Sequence, residues 1–491
     1  MMPPPSPRSP AAAPESPGPP GCQRAGSDSR PLELLALIHV VSLLVFTSWD
    51  FGGETDFARK VISSWGSLAA AILGYACLRR WRHHEGLPSA VRWLWPLVLF
   101  NLLVIASARN PSFTRSVVGG VTALINSGAR SGLPSSAQPV GSLRALWQFD
   151  AIFLTCFNLA VVVTRRRALR GLLLVLTVNA LALAVMGTFQ KLGQSAGLYF
   201  GWQPSPNVRF FASFIYPNHW GAFILMCTAA ALGLWLHFSH PEDRARRHSP
   251  AAFGLVATLF LAASVPLSGS RSCSLLVLAL LTGALLHWIL ALRQSGHLAR
   301  RAKVAAAVLA LTVFFGGLGG IFLLARPVIE VRIETTQAQI ADIRMRGDLG
   351  SRRQLYVDTW RMACQKPWFG WGLGSYGTVF QCFNQQLSVD GWVPFYAQAH
   401  SDWLQMLAEV GVIGTLLIAL LGGVPLLAVC CAGRLGQLPA CLLAGCALLI
   451  AYALVEFPFA NPAVMIAFWL CFFTAVRYRQ LTTYIASDPR P

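Results

Sequence analysis

Charge is scarce in this chain. Only 12% of its 491 residues are Asp, Glu, Lys or Arg, against about 25% in soluble globular proteins. That scarcity excludes an ordinary soluble enzyme. The polar linkers that would divide so long a soluble chain into about three domains are also missing. Lysine occurs only at Lys60, Lys191, Lys303 and Lys366, so the formal net charge of +19 rests mainly on arginine. There is no Walker motif, so ATP does not drive the protein directly. No Asp-x-Asp pair and no His/Cys cluster with metal-ligand spacing occurs, so the expectation is no metal and no cofactor. No repeat with a period of roughly 20–50 residues is evident. No signal-peptide cleavage pattern precedes the first apolar run, which is expected to be an uncleaved anchor.

What is present is apolar. Hydrophobic residues make up 55% of the chain, in runs of roughly 16–22 residues that match a ~30 Å hydrocarbon core at about 1.5 Å per residue. The expected fold class is an all-α polytopic membrane protein of about 12 transmembrane helices. The runs fall near 33–49, 61–78, 93–108, 146–164, 171–190, 219–238, 251–268, 272–292, 303–325, 408–431, 438–456 and 461–477. Residues 1–30 are Pro-rich and expected to be a disordered tail. Helices 1–9 then occupy 31–325, a large outer loop with short helices 326–402, helices 10–12 403–480, and a C-terminal tail 481–491.

Arginine clusters at 79–92, 165–170, 244–247, 293–301 and 477–479 all fall on one side of a twelve-span chain. The positive-inside rule makes that side cytoplasmic, with both termini inside. The same rule accounts for the basic balance without nucleic acid, which is not expected as a partner; membrane lipids are. Outside lie a polar loop at 109–145, with a short interfacial helix, and an aromatic, Pro-rich segment at 191–218. Cys441, Cys446 and Cys471 sit in apolar runs as small buried residues. Cys364 and Cys382 share the large outer loop, where an oxidising compartment would permit a disulfide; the sequence leaves that pairing open.

Polar groups that are costly at a membrane gather at the outer side. They are Arg209, Asn218 and His219 before the sixth span, Arg271 in the hairpin Pro266–Cys273, Arg353, His400, Asp402 and Glu409 around the large loop, and Glu456 at the end of the eleventh span. A tight hairpin holds the Arg271 guanidinium at headgroup depth, where its two-donor fork suits phosphate; the plainer alternative is snorkelling or a pair with Glu456. Asp402 and Gln405 have capping-box spacing, which puts His400 just ahead of a helix as a base or hydrogen-bond donor. Gly372-Leu-Gly-Ser-Tyr-Gly377 matches GxGxxG, but no strand precedes it and no βαβ unit surrounds it, so it reads as a tight turn with close backbone approach. Trp368, Phe369, Trp371 and Tyr376 suit either sugar stacking or the membrane interface.

The stretches 353–363, 366–376 and 399–414, with Phe211–Phe223 and Ser270-Arg271-Ser272 upstream of them, resemble the O-antigen ligase and polymerase superfamily. The likeness covers roughly 205–460. Ser401 departs from it, because Asn often follows the His there. The resemblance implies a GT-C-like glycosyltransferase of the bacterial inner membrane, with 326–402 as a periplasmic loop. It implies metal-independent, inverting transfer of a glycan from undecaprenyl diphosphate to a glycan, lipid or protein acceptor. Arg271 and His400 match the family's functional Arg and His, and Arg209 and Arg353 its basic residues near the diphosphate. Asn218, His219, Asp402, Glu409, Trp371 and Tyr376 are the expected supporting residues. The competing readings are a multi-span transporter of a lipid-linked glycan or small anion, and a non-catalytic scaffold. Ligase and polymerase share donor chemistry, and the sequence does not separate them.

Overall fold

The computed structural model describes residues 30–84, 86–118, 121–128, 132–239, 250–294, 299–346, 351–386, 394–430 and 435–487. Nearly all of the Pro-rich N-terminal segment and the 244–247 arginine cluster lie outside the described residues.

Every one of the twelve apolar runs falls on a helix. In order they are α1 (Arg30–Trp49), the broken pair α2 (Asp56–Gly66) and α3 (Leu68–Arg82), α4 (Trp95–Ala108), α5 (Pro139–Val162), α6 (Arg166–Leu192), α7 (Pro217–Phe238), α8 (Ala251–Ser268), α9 (Arg271–Gln294) and α10 (Arg300–Arg346). The large loop begins with α11 (Ser351–Gln365), and the bundle closes with α12 (Asp402–Cys430), α13 (Gln437–Tyr452) and α14 (Pro462–Ser487). Among the described residues ten helices are long and apolar enough to cross a membrane, and α13 is a shorter apolar one. The protein is a multi-pass helical membrane protein.

One stretch departs from expectation, and another meets it. The loop at 109–145 carries an antiparallel hairpin, β1 (Phe113–Val118) with β2 (Val121–Asn126), in place of a short interfacial helix. The β-branched residues Thr114, Val117, Val118, Val121, Thr122 and Ile125 favour strands over helix here. Helix α10 does not stop at the end of its apolar run. It runs 47 residues in all, past Pro327 and through the mixed-charge stretch that follows, whose residues keep helical propensity.

Helix α7 is the centre of the bundle, packed by α6, α8, α9, α13 and α14. Its start is set by Pro217, whose missing N–H costs nothing at the first helical position. Helix α5 forms a second axis against α1, α2, α3, α4 and α14.

Polar contacts collect at the two ends of the bundle. At one end Glu33 of α1 pairs with Arg165 at 3.3 Å, Arg477 of α14 donates to the Val163 carbonyl at 2.6 Å, and Arg170 meets His237 at 2.5 Å. This is the arginine-rich end. The turns after α1 and α13 and the starts of α7, α9, α12 and α14 meet at the other. Arg165, Arg170 and Arg477, from two of the basic stretches, thus share one end of the bundle.

Helix α12 is interrupted at Gly411, which adopts φ 66° and ψ −171°. The break frees backbone groups that a membrane core cannot hydrate. Residues 367–372 satisfy them. Val412 and Ile413 N–H donate to the Pro367 and Trp368 carbonyls (2.8 and 3.2 Å), while Trp371 and Gly372 N–H donate to the Ala408 and Glu409 carbonyls (3.0 and 2.7 Å). The large loop is therefore stitched into the helix. A β-carbon at Gly411 would lie 2.3 Å from the Trp368 carbonyl carbon. Gly411→Ala should therefore cost at least the ~1–3 kcal/mol of a strained left-handed residue. Gly423→Ala in the same helix meets nothing within 4 Å and should be neutral. Thermal unfolding of the purified protein checks this; equal midpoints for the two variants would contradict the stitched break.

Candidate functional site

Glu456 lies in the turn after α13, with its side chain only 4% exposed. Its Oε1 accepts from Arg352 Nη2 of α11 at 2.7 Å and from Asn218 Nδ2 of α7 at 3.1 Å. Its Oε2 faces His400 Nδ1 at 3.7 Å. Neither of those two atoms has a hydrogen-bond partner. Asn218 Oδ1 in turn accepts from the Ser270 hydroxyl at 2.7 Å. Ser270 immediately precedes Arg271, the exposed first residue of α9. Four distant stretches thus meet around one carboxylate.

Local structure explains each position. Gly269 ends α8 in the left-handed region at φ 84°, which lets the chain reverse into α9 with almost no loop. His400 also has a left-handed backbone, φ 52°, and its carbonyl accepts from the Tyr356 hydroxyl at 2.9 Å. Its ring stands edge-on to Phe457 at 4.7 Å. Ser401, not Asp402, caps α12: its hydroxyl accepts from Leu404 N–H at 3.3 Å. The Gln405 side chain reaches back to Ala399 N–H at 3.0 Å. Asp402 does different work. Its N–H donates to the Ala453 and Glu456 carbonyls, and its carboxylate accepts from Phe459 N–H at 2.9 Å. It fixes the turn that carries Glu456 and Phe457.

A second polar cluster adjoins the first. His219 Nδ1 is 2.5 Å from Glu54 Oε1, which also accepts from Asn461 Nδ2 at 2.8 Å. The His219 ring meets the other side of the neighbourhood through Phe457, edge-on at 5.1 Å. Burial pushes the Glu54 carboxyl up, but His219 and Asn461 outweigh it and hold the group below its ordinary value. Glu456 behaves alike: burial raises it, and the His400 imidazole and Arg352 guanidinium bring it below its ordinary 4.5.

The remaining expected residues stand elsewhere. Arg353 is exposed, and its neighbour Arg352 makes the contact with Glu456. Arg209 is exposed in the segment before α7. Glu409 accepts from Gly374 and Tyr376 N–H at 2.7 and 3.1 Å, so the GxGxxG turn wraps a carboxylate of its own chain. Trp371 is stacked on Phe113 at 6.1 Å with Lys366 Nζ 4.1 Å above its ring, and Tyr376 is buried with its hydroxyl 2.8 Å from Thr359 Oγ1. Both aromatics serve the loop's own packing. Trp368 remains exposed. Cys364 and Cys382 are exposed free thiols. Sequence reasoning missed Arg352, Glu54, Asn461 and Phe457. The first is one helical step from the residue chosen, and Glu54 had the visible signal of an acid at the end of α1 opposite the basic clusters.

The fold and this polar end define a polytopic membrane protein with a cationic and imidazole-bearing site at one end of its bundle. Residues 256–419 match the family model described as O-antigen ligase, about a third of the chain. The match contains Arg271, Arg352 and His400; Asn218 and Glu456 lie outside it. That stretch is similar to the O-antigen ligase domain, which supports the resemblance to the O-antigen ligase and polymerase superfamily. Comparison with curated proteins gave no match.

A carboxyl held below its ordinary value stabilises the fold only while ionised. The contribution of Glu456 is present above its ordinary 4.5 and is lost as pH falls through its lower folded value. Glu456→Gln should lower the thermal midpoint at neutral pH, and the gap to the parent should close as pH falls below about 4.5. A gap that widened in acid would contradict the assignment.

Proposed function

We propose that the protein is a glycosyltransferase that moves a glycan from an undecaprenyl-diphosphate donor to an acceptor hydroxyl, as an O-antigen ligase or a polymerase of lipid-linked repeats. The observation that carries this reading is the convergence of Asn218, Arg352 and His400 on the Glu456 carboxylate, beside the first residue of α9. The site works at the periplasmic face of the inner membrane, with both termini cytoplasmic and without a metal.

In the reaction, the bond between the anomeric carbon and the diphosphate oxygen breaks, and its electron pair leaves with the diphosphate. Arg271 meets that growing charge at the positive end of the α9 dipole. Arg209 and the exposed Arg353 supply further positive charge around the lipid diphosphate. The acceptor oxygen attacks from the opposite face, which inverts the centre. Its proton passes to His400. The Nδ1 edge of that imidazole faces Glu456, so Nε2, on the other edge, is the atom that takes the proton. Glu456 then stabilises the imidazolium, and a short closure of the 3.7 Å gap would pair both atoms. The donor bond supplies the free energy, so no nucleotide is consumed.

Arg271→Ala and His400→Ala should each leave full-length protein in the membrane and reduce glycan transfer by about 100- to 1,000-fold, the effect of removing a preorganised donor or base. Transfer is read by mass analysis of envelope glycans alongside membrane protein levels. Undiminished transfer in both variants would overturn the site.

A further inference from the structure

A separate cavity of about 260 Å³ lies between the end of α6 and the segment leading to α7. Gln190, Lys191, Gln194, Val208, Phe210 and Phe211 contribute to its lining, so an anionic sugar is accommodated as well as a neutral one. Gln190 is 2% exposed, and neither its amide nitrogen nor its amide oxygen has a hydrogen-bond partner. Buried donors and acceptors are nearly always satisfied, because leaving one bare forfeits its hydration with no return. Here a donor and an acceptor are left bare on one side chain, at a cavity. An apolar residue would fit the helix better if packing were the only demand.

One lining residue is strained as well: Gln194 has φ 49°. Tyr199, Phe200 and Ala212, in the same connecting segment but outside the lining, have φ of 50–60°. Such strain is held only where the surroundings fix it. The cavity is linked to α7, which carries Asn218. Phe211 packs on Trp220 at 4.9 Å, two residues beyond Asn218, and Arg209 lies between two lining residues. At this size, below the ~300–1,000 Å³ of drug-sized sites, it suits one ring rather than a chain.

We propose that this cavity is a sugar-binding subsite in which the Gln190 amide reads a hydroxyl or acetamido group while Phe210 lies against the ring. An amide offers both a donor and an acceptor, which matches sugar substituents that offer the same pair. A phosphate or carboxylate would use only the donor. The inference rests on the glycosyltransferase reading above and gives one sugar of its substrates a place in the fold. The sugar belongs either to the donor glycan or to the acceptor.

The test uses the purified full-length chain and its Gln190→Leu variant, which keeps the volume and removes both amide atoms. Thermal unfolding first establishes that the variant folds; a midpoint equal to or above the parent's is expected. Saturation-transfer NMR is then run with two probes: oligosaccharide released by mild acid from the carrier lipid, and deacylated acceptor glycan. The parent should bind one probe, and Gln190→Leu should weaken that binding at least tenfold; the probe affected identifies the source. Equal binding by parent and variant, or no binding of either probe by the parent, overturns the subsite and leaves a cavity that holds water only. Glycan transfer measured on the same samples separates the two readings. Transfer by the parent that Gln190→Leu does not alter in KM for either substrate sinks the subsite and leaves the glycosyltransferase reading standing. Gln190-dependent sugar binding without transfer sinks the enzyme and leaves the subsite standing.

Discussion

The carboxylate of Glu456 is almost wholly withdrawn from water, and an isolated buried charge would cost several kcal/mol. Arg352, Asn218 and His400 surround it. Each comes from a different part of the chain, so satisfying one charge requires α7, α11, the start of α12 and the turn after α13 to meet. Asn218 extends the requirement to Ser270 and so to the hairpin that presents Arg271. The position of the site is in this sense a consequence of one electrostatic demand.

The second constraint is backbone satisfaction inside a membrane. Breaking α12 at Gly411 would expose peptide groups, and the large loop enters to pair with them. The loop cannot then drift. Its far end carries His400, whose carbonyl is tied to Tyr356 of α11 and whose ring is set against Phe457. The glycines of the 372–377 turn serve the same stitching. They let N–H groups close on Glu409, a residue of the helix they are stitched to.

The helices were legible because a bilayer demands a length of apolar sequence, and the alternation of their ends was legible because arginine marks one side. Arg271, Asn218 and His400 were legible as polar residues in costly places. What the sequence withheld was phase and partnership. Arg352 and Arg353 are adjacent, and only the rotation of α11 decides which faces Glu456. Asp402 has the spacing of a cap, yet Ser401 takes that place and Asp402 holds the neighbouring turn. Trp371 and Tyr376 looked free to stack on sugars because the sequence cannot show that Phe113, Lys366 and Thr359 already occupy them. Nothing in a single α6 position announces that the Gln190 amide has no partner.

The most direct test of the central claim is to reconstitute the purified chain in vesicles with lipid-linked glycan and acceptor, and to follow the carrier lipid. The account expects free undecaprenyl diphosphate to appear in step with glycosylated acceptor, without ATP. Movement of intact lipid-linked glycan between leaflets with no diphosphate released would contradict it and make the protein a transporter.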